Sequence, residues 1–140
     1  ASDRNHSAYL CGVEHYKATN FYLAAQSFSE ALEYWLEDSQ AWFALGNCYD
    51  EMGSPRKAEQ CFRAALEHSP PKKLPDVYYN LGNSLYDQNQ FAAAIDFYRM
   101  IPDGHQAYVD AQKNLSRAGE LNEKRKAEQT DAVDHSHGLS

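Results

Sequence analysis

The sequence predicts an all-α fold: three antiparallel helix pairs stacked in a row and closed by a seventh, capping helix. Three observations carry that prediction. First, the chain repeats itself: Trp42-Phe43-Ala44-Leu45-Gly46-Asn47-Cys48-Tyr49 is echoed 36 residues on by Tyr78-Tyr79-Asn80-Leu81-Gly82-Asn83-Ser84-Leu85. Downstream, Ala58, Phe62, Ala65 and Leu66 answer Ala94, Tyr98, Ile101 and Pro102, and a shift of 34 the other way lands on Ala24, Phe28, Ala31 and Leu32. Second, each unit carries two apolar stripes at i, i+3, i+4 and i+7 spacing, one for each of two helices. Third, a helix-breaking segment parts the two stripes in every unit.

The first unit, residues 5–38, reads as helices over about 5–18 and 21–36, parted at Lys17 to Asn20. The second, residues 39–72, reads as helices over 39–52 and 55–68. Between them Gly53 is a residue type that ends a helix in the left-handed conformation, and Pro55 opens the next because its missing N–H is not needed there. The third, residues 75–108, reads as helices over 75–88 and 91–101, parted at Gln88-Asn89-Gln90, with Asn89 in the place of Gly53. Lys72-Lys73 is the insertion between the second and third units, and Pro102-Asp103-Gly104 ends helix six about a turn early. Gly46 and Gly82 fall inside helices, where each costs about 1 kcal/mol against Ala. That cost points to a close approach of the partner helix, facing Ala58 and Ala94. A seventh helix over about 105–128 opens like a fourth unit at Asn114-Leu115-x-x-Ala118-Gly119. Its continuation from Glu120 to Lys126 is too polar to receive another helix, so it reads as a cap. One domain thus covers residues 1–128, and residues 129–140, without periodicity, read as a polar disordered tail.

W-x-x-L-G-x-x-Y followed by Ala, Phe, Ala and Pro is the pattern of these units. Residues 39–72 fill all eight positions with Trp42, Leu45, Gly46, Tyr49, Ala58, Phe62, Ala65 and Pro70. Residues 75–108 keep Tyr78, Leu81, Gly82, Ala94 and Tyr98, with Ile101 where Ala is usual. Residues 5–38 open with Ala8, Cys11, Gly12 and His15 at the first four positions and match well in their second half. The chain resembles the tetratricopeptide repeat family. The resemblance implies a right-handed superhelix whose concave face is lined by the first helix of each unit. It further implies a non-catalytic module that binds a protein or peptide there, as adaptor, assembly factor or chaperone-like scaffold.

Counted by that resemblance, the fifth positions are Tyr9, Phe43, Tyr79 and Lys113, the ninth Val13, Asn47, Asn83 and Arg117, and the sixth Leu10, Ala44, Asn80 and Asn114. The candidate peptide-binding residues are Tyr9, Val13, Phe43, Asn47, Tyr79, Asn80, Asn83, Lys113, Asn114 and Arg117. Asn amides offer donor and acceptor to an extended backbone, while aromatics take apolar side chains. The family's two-carboxylate clamp asks for Lys, Asn, Asn, Lys and Arg where this chain has Tyr9, Val13, Ala44, Asp76 and Asn80, so the clamp is absent. With Asp50, Glu51, Asp76 and Asp87 about the same faces, the expected partner is a neutral or basic segment with apolar anchors. Lys113 and Arg117 mark the far end as the cationic one.

At 140 residues, with 43% hydrophobic and 24% charged residues, the chain suits one globular domain. A formal charge of −7 disfavours nucleic acid. Cys11, Cys48 and Cys61 cannot all pair with one another, which favours a reducing compartment such as the cytoplasm. No apolar run long enough to span or insert into a membrane occurs, and the chain, lacking an initial Met, reads as an excised domain or processed form. No cofactor or metal motif is present. Cys11 and His15, four apart, are candidate metal or thiol chemistry, but they occupy the places of Leu45 and Tyr49, so packing is the expected role. His135 and His137 offer at most a weak metal site. Trp35 is a candidate exposed contact, and a homo-oligomer built through the aromatic ladder is the alternative role.

Overall fold

The computed structural model describes residues 2–138, with side chains to residue 133. In order come α1 (Asp3–Lys17), α2 (Phe21–Tyr34), α3 (Ser39–Glu51), α4 (Pro55–His68), a 3-10 turn (Pro71–Lys73), α5 (Leu74–Asp87), α6 (Phe91–Tyr98) and α7 (Tyr108–Gly138). Each helix packs on the next in chain order, giving three helix pairs and a final helix laid on the third pair. Among the described residues there is no strand.

One turn conformation recurs inside every pair. Thr19, Gly53 and Asn89 have φ of 60°, 73° and 63°, so the chain reverses through a single left-handed residue each time. Gly53 and Asn89 suit that region, whereas β-branched Thr19 is strained there. Pro55 then takes the first position of α4.

The core is built on a repeated contact between a glycine and an aromatic ring. A Cβ on Gly12 would lie 2.5 Å from Phe28, one on Gly46 2.5 Å from Phe62, and one on Gly82 2.6 Å from Tyr98. These rings supply the nearest atoms to each glycine. The reason is size: with no Cβ, the first helix lets the second insert a whole ring between the two axes. Phe28, Phe62 and Tyr98 are at most 1% exposed, and burying each ring is worth about 1.5–3 kcal/mol. Trp42 and Tyr49 lie against both halves of the core and join them into one band.

Two polar ties fix the register of the first two units. Asp38 caps α3 by accepting from the Ala41 N–H at 3.2 Å. Its other carboxylate oxygen accepts from Asn5 Nδ2 at 3.1 Å, and Asn5 Nδ2 also donates to the Ala31 carbonyl at 2.9 Å. Asn5 is 3% exposed, so this is a buried, satisfied network.

Three boundaries differ from the pattern's prediction by three residues or more. Helix six ends at Tyr98, not 101, because the chain turns through Met100 and Ile101, and Ile101 becomes a core residue at 3% exposure. Helix seven starts at Tyr108, after turns in which the Ala107 N–H donates to His105 Nδ1 at 3.0 Å. It also continues to Gly138, so residues 129–138 are helical where a disordered tail is expected. Missing apolar periodicity reports the absence of a buried face, not of a helix. Ala127, Glu128, Gln129 and Ala132 favour helix, and no Gly or Pro intervenes before Gly138. Residues 139 and 140, the end of that expected tail, lie outside the described residues. The cap itself holds: Ala111 and Ala118 are fully buried. The Arg125 guanidinium lies 5.8 Å over the Phe91 ring and donates to the Asn89 carbonyl.

Candidate functional site

The first helices of the units, α1, α3 and α5, share one face, and on it side-chain bridges join α3 to α5 and α5 to α7. Asn80 Nδ2 on α5 donates to Asn47 Oδ1 on α3 at 2.8 Å. One step along, Asn114 Nδ2 on α7 donates to Asn83 Oδ1 on α5 at 3.1 Å. The ninth position of one unit thus pairs with the sixth of the next. Asn83 Oδ1 also accepts from the Tyr98 hydroxyl at 2.6 Å. Burial, then the neighbouring Tyr79, pushes the Tyr98 phenol well up, so it stays a donor. An amide carries two N–H groups and a carbonyl, so each pair keeps the NH2 of one Asn and the carbonyl of the other for a third party.

The fifth positions rest on the aromatic rings of their own second helices. Tyr9 lies 5.5 Å from Phe28, Phe43 5.7 Å from Phe62 and Tyr79 6.3 Å from Tyr98, centroid to centroid. Each is half-buried, with one side against the core and the other toward the face. Val13 is half-buried against the first half of the core. Lys113 and Arg117 are exposed on α7, but Arg117 is bound to Glu120 at 3.1 Å, which weakens the cationic far end expected there.

A cleft of about 940 Å³ opens at the edge of this face where the helices begin. Tyr9, Phe43, Ala44 and Asn47 line it, together with residues of the two connections between units. The structure therefore brings Tyr9, Phe43 and Asn47 into one cavity and leaves Tyr79, Asn80, Asn83 and Asn114 further along the face. Sequence reasoning missed Glu37, His68, Lys72, Lys73 and Val77 as lining residues. The available signal was the Lys72-Lys73 insertion, the one break in the repeat period. Trp35, 39% exposed, also lines the cleft.

The opposite edge, where the first helices end, is acidic. Burial, then Asp87 and Glu51, raises the Asp50 carboxyl above its ordinary value, and burial raises that of Asp87. Cys48 and Cys61 are core thiols that burial pushes up to about 11 and about 12. Cys11 corrects its prediction: it is exposed, and His15 is half-buried. Leu45 and Leu81 at the matching place are covered by the pair before them, and among the described residues no pair precedes unit one. Ser27 Oγ donates to Cys11 Sγ at 3.4 Å. Among the described residues no three His, Cys, Asp or Glu side chains converge as metal ligands, and the side chains of His135 and His137 lie outside them. No described helix is long and apolar enough to cross a membrane.

Stacked helix pairs with a lined open face define a helical repeat protein. Tetratricopeptide repeat models match residues 9–51, 39–71 and 75–99, and the chain belongs to that family. None of the matched models describes a catalytic family. Among curated proteins, the general transcriptional corepressor trfA of Dictyostelium discoideum is 35% identical over 65 residues, which is 46% of this chain and 5% of that protein. Solved structures of like fold include the yeast Sti1 TPR2B domain in complex with an Hsp70 peptide (TM-score 0.75, 14% identity, 85% of this chain and 98% of that one). The first repeat domain of Spaghetti (RPAP3), bound to the HSP90 peptide SRMEEVD, gives 0.76 at 11% identity over 86% and 94%. The Yersinia enterocolitica secretion chaperone SycD, with a peptide of the translocator YopD, gives 0.73 at 17% identity over 89% and 97%.

Proposed function

We propose that this chain is a non-catalytic peptide-binding module that holds a segment of a partner protein along the face formed by α1, α3, α5 and α7. In that role it acts as an adaptor, assembly factor or chaperone-like scaffold. The observation that carries the reading is the pair of Asn–Asn bridges, Asn47–Asn80 and Asn83–Asn114. Each leaves amide N–H groups and an amide carbonyl unused by the bridge, the two functions an extended backbone needs. Tyr9, Phe43 and Tyr79, half-exposed beside them, offer apolar area for the ligand's side chains, with Val13, Lys113 and Arg117 at the margins. The Sti1, Spaghetti and SycD structures are peptide complexes, which supports the class of ligand. Asp50 and Asp87 along the acidic edge favour a neutral or basic segment with apolar anchors over most of the face. The formal charge of −7 speaks against nucleic acid.

The test is a peptide-display selection run on the domain and on an Asn47→Ala, Asn80→Ala double variant, which removes both members of one bridge and strands neither. Peptides enriched on the parent and lost on the variant support the groove. The same peptides enriched on both would place binding elsewhere. A second reading, a homo-oligomer, is favoured by Leu10, Tyr22 and Leu23, which are 48%, 68% and 43% exposed on the first unit. Light scattering that gives a monomer mass at high concentration rules it out.

A further inference from the structure

The two Asn bridges of the face differ in what stands behind them. Asn83 Oδ1 accepts twice, from Asn114 Nδ2 at 3.1 Å and from the Tyr98 hydroxyl at 2.6 Å. Asn47 Oδ1 accepts from Asn80 Nδ2 at 2.8 Å, and the ring in the place of Tyr98 is Phe62, which has no hydroxyl. The two rings sit alike: Phe62 Cε1 lies 2.5 Å from a Cβ built on Gly46, and Tyr98 Cε1 2.6 Å from one built on Gly82. A bridge between two amides can be made with either side chain as donor, so a bridge backed by phenylalanine has two equivalent polarities. Behind Asn83 that freedom is removed. Tyr98 is fully buried, its phenol has one proton, and Asn83 Oδ1 is the acceptor that proton finds among the described residues. Turning the bridge around would put an N–H of Asn83 there and take the 2.6 Å acceptor from a buried donor, which favours the observed polarity by about tenfold. In that polarity Asn83 keeps both its N–H groups, and Asn114 keeps its carbonyl oxygen. Among the described residues no buried side-chain nitrogen or oxygen lacks a partner, so these unbonded atoms are open to solvent.

We infer that Tyr98 is a positioning residue that sets the backbone polarity of the bound segment at the α5–α7 end of the face. Through its hydrogen bond, Asn83 offers donors and Asn114 an acceptor, so the segment turns a carbonyl to Asn83 and an N–H to Asn114. The inference rests on the peptide-binding reading above and deepens it, since it says which of two backbone arrangements that end accepts. At the Asn47–Asn80 bridge either arrangement is accepted, because Phe62 sets no preference. Fully buried, Tyr98 reaches the ligand only through Asn83, and its hydroxyl supplies discrimination more than affinity. Without the hydroxyl the two polarities become equal. A ligand that needs the observed one then finds half of the molecules ready, a loss of about twofold, while a ligand that needs the other gains about fivefold.

The experiment compares the domain with Tyr98→Phe, checked by circular dichroism to be folded, using two end-capped peptides. One is the best peptide from display selection on the domain. The other is its retro-inverso counterpart, made of D-residues in reversed order, which keeps the side-chain arrangement and exchanges every backbone N–H with a carbonyl. Affinities are read by fluorescence anisotropy. On Tyr98→Phe the selected peptide should weaken by about twofold and the retro-inverso peptide strengthen by about fivefold, so the ratio between them falls by about tenfold. Exchange of side-chain amide protons with water, followed by NMR without peptide, gives a second reading. In the domain the bonded Asn114 N–H should exchange several-fold more slowly than those of Asn83, and on Tyr98→Phe the two should converge. A retro-inverso peptide that gains nothing from the substitution overturns the inference and leaves the groove reading standing, and so does a loss shared equally by both peptides. Exchange rates of Asn83 and Asn114 that keep their difference on Tyr98→Phe overturn it as well. No enriched peptide overturns the groove reading and this inference together.

Discussion

Replacing Gly46 by Ala puts a methyl group where the Phe62 ring already lies. The new Cβ would stand 2.5, 2.7 and 2.9 Å from Cε1, Cδ1 and Cζ, against 3.4 Å for the onset of ordinary contact. The ring must retreat by about 1 Å, yet it is 1% exposed and backed by Phe43 at 5.7 Å. Overpacking a closed core costs about 1–3 kcal/mol, and the helix propensity of Ala offsets about 1 kcal/mol of that. Three ring atoms inside contact distance put the cost in the upper half of its range, so the net loss is about 1–2 kcal/mol. Gly119, within α7, has nothing within 4 Å of its Cβ position, and there the same substitution keeps only the propensity gain of about 1 kcal/mol. At this chain length 1 kcal/mol moves Tm by about 3–4 °C. Thermal unfolding followed by circular dichroism should show Gly46→Ala melting several degrees lower and Gly119→Ala about 3 °C higher. If Gly46→Ala melts higher, as Gly119→Ala does, the ring-on-glycine account of the core is wrong.

Four further outcomes are expected. Asn5→Ala leaves Asp38 and the Ala31 carbonyl without their buried donor, so urea unfolding should report a loss of about 1–3 kcal/mol. Thr19→Gly relieves a β-branched residue at φ 60° and should stabilise by about 1 kcal/mol in the same assay; a loss would mean the turn is not strained. Burial raises the Glu59 carboxyl, but hydrogen bonds from Arg63 and Gln88 outweigh it and hold it below 4.5. Its contribution is thus present above 4.5 and lost as pH falls through the lower folded value, so Glu59→Gln should flatten the acid limb of a stability profile. Asp50 is raised, first by burial, and binds protons more readily when folded. Asp50→Asn should therefore raise Tm at neutral pH, with the advantage gone below its ordinary 3.8.

The order of the helices and the extent of the first five were legible to within about two residues because a stripe at helical spacing and a breaker after it depend on neighbours within the chain. Gly53, Asn89 and Pro55 spoke for two of the three turns, while Thr19 sent no signal, since nothing about Thr suggests φ 60° until the turn forces it. Contacts between helices were harder to read. The glycines at 46 and 82 signalled close approach, but whether an alanine or a ring arrives depends on the tilt of the second helix, which spacing does not encode. Cys11 shares a place with Leu45 and is exposed because covering depends on a preceding pair, not on the residue itself. At the candidate site, Asn47, Asn80, Asn83 and Asn114 were picked out one by one as ligand contacts. That they first bridge to one another follows from the offset between neighbouring units. The Asp76–His105 pair joins two segments that no repeat period relates.

The central claim is that a peptide binds along the face of α1, α3, α5 and α7, and amide chemical-shift mapping with a selected peptide tests it without altering the fold. The account predicts saturable shifts concentrated at Tyr9, Phe43, Asn47, Tyr79, Asn80 and Asn83. Shifts concentrated instead at Tyr22, Met52 and Lys57, which line a separate hollow between α2, the end of α3 and the start of α4, would contradict it.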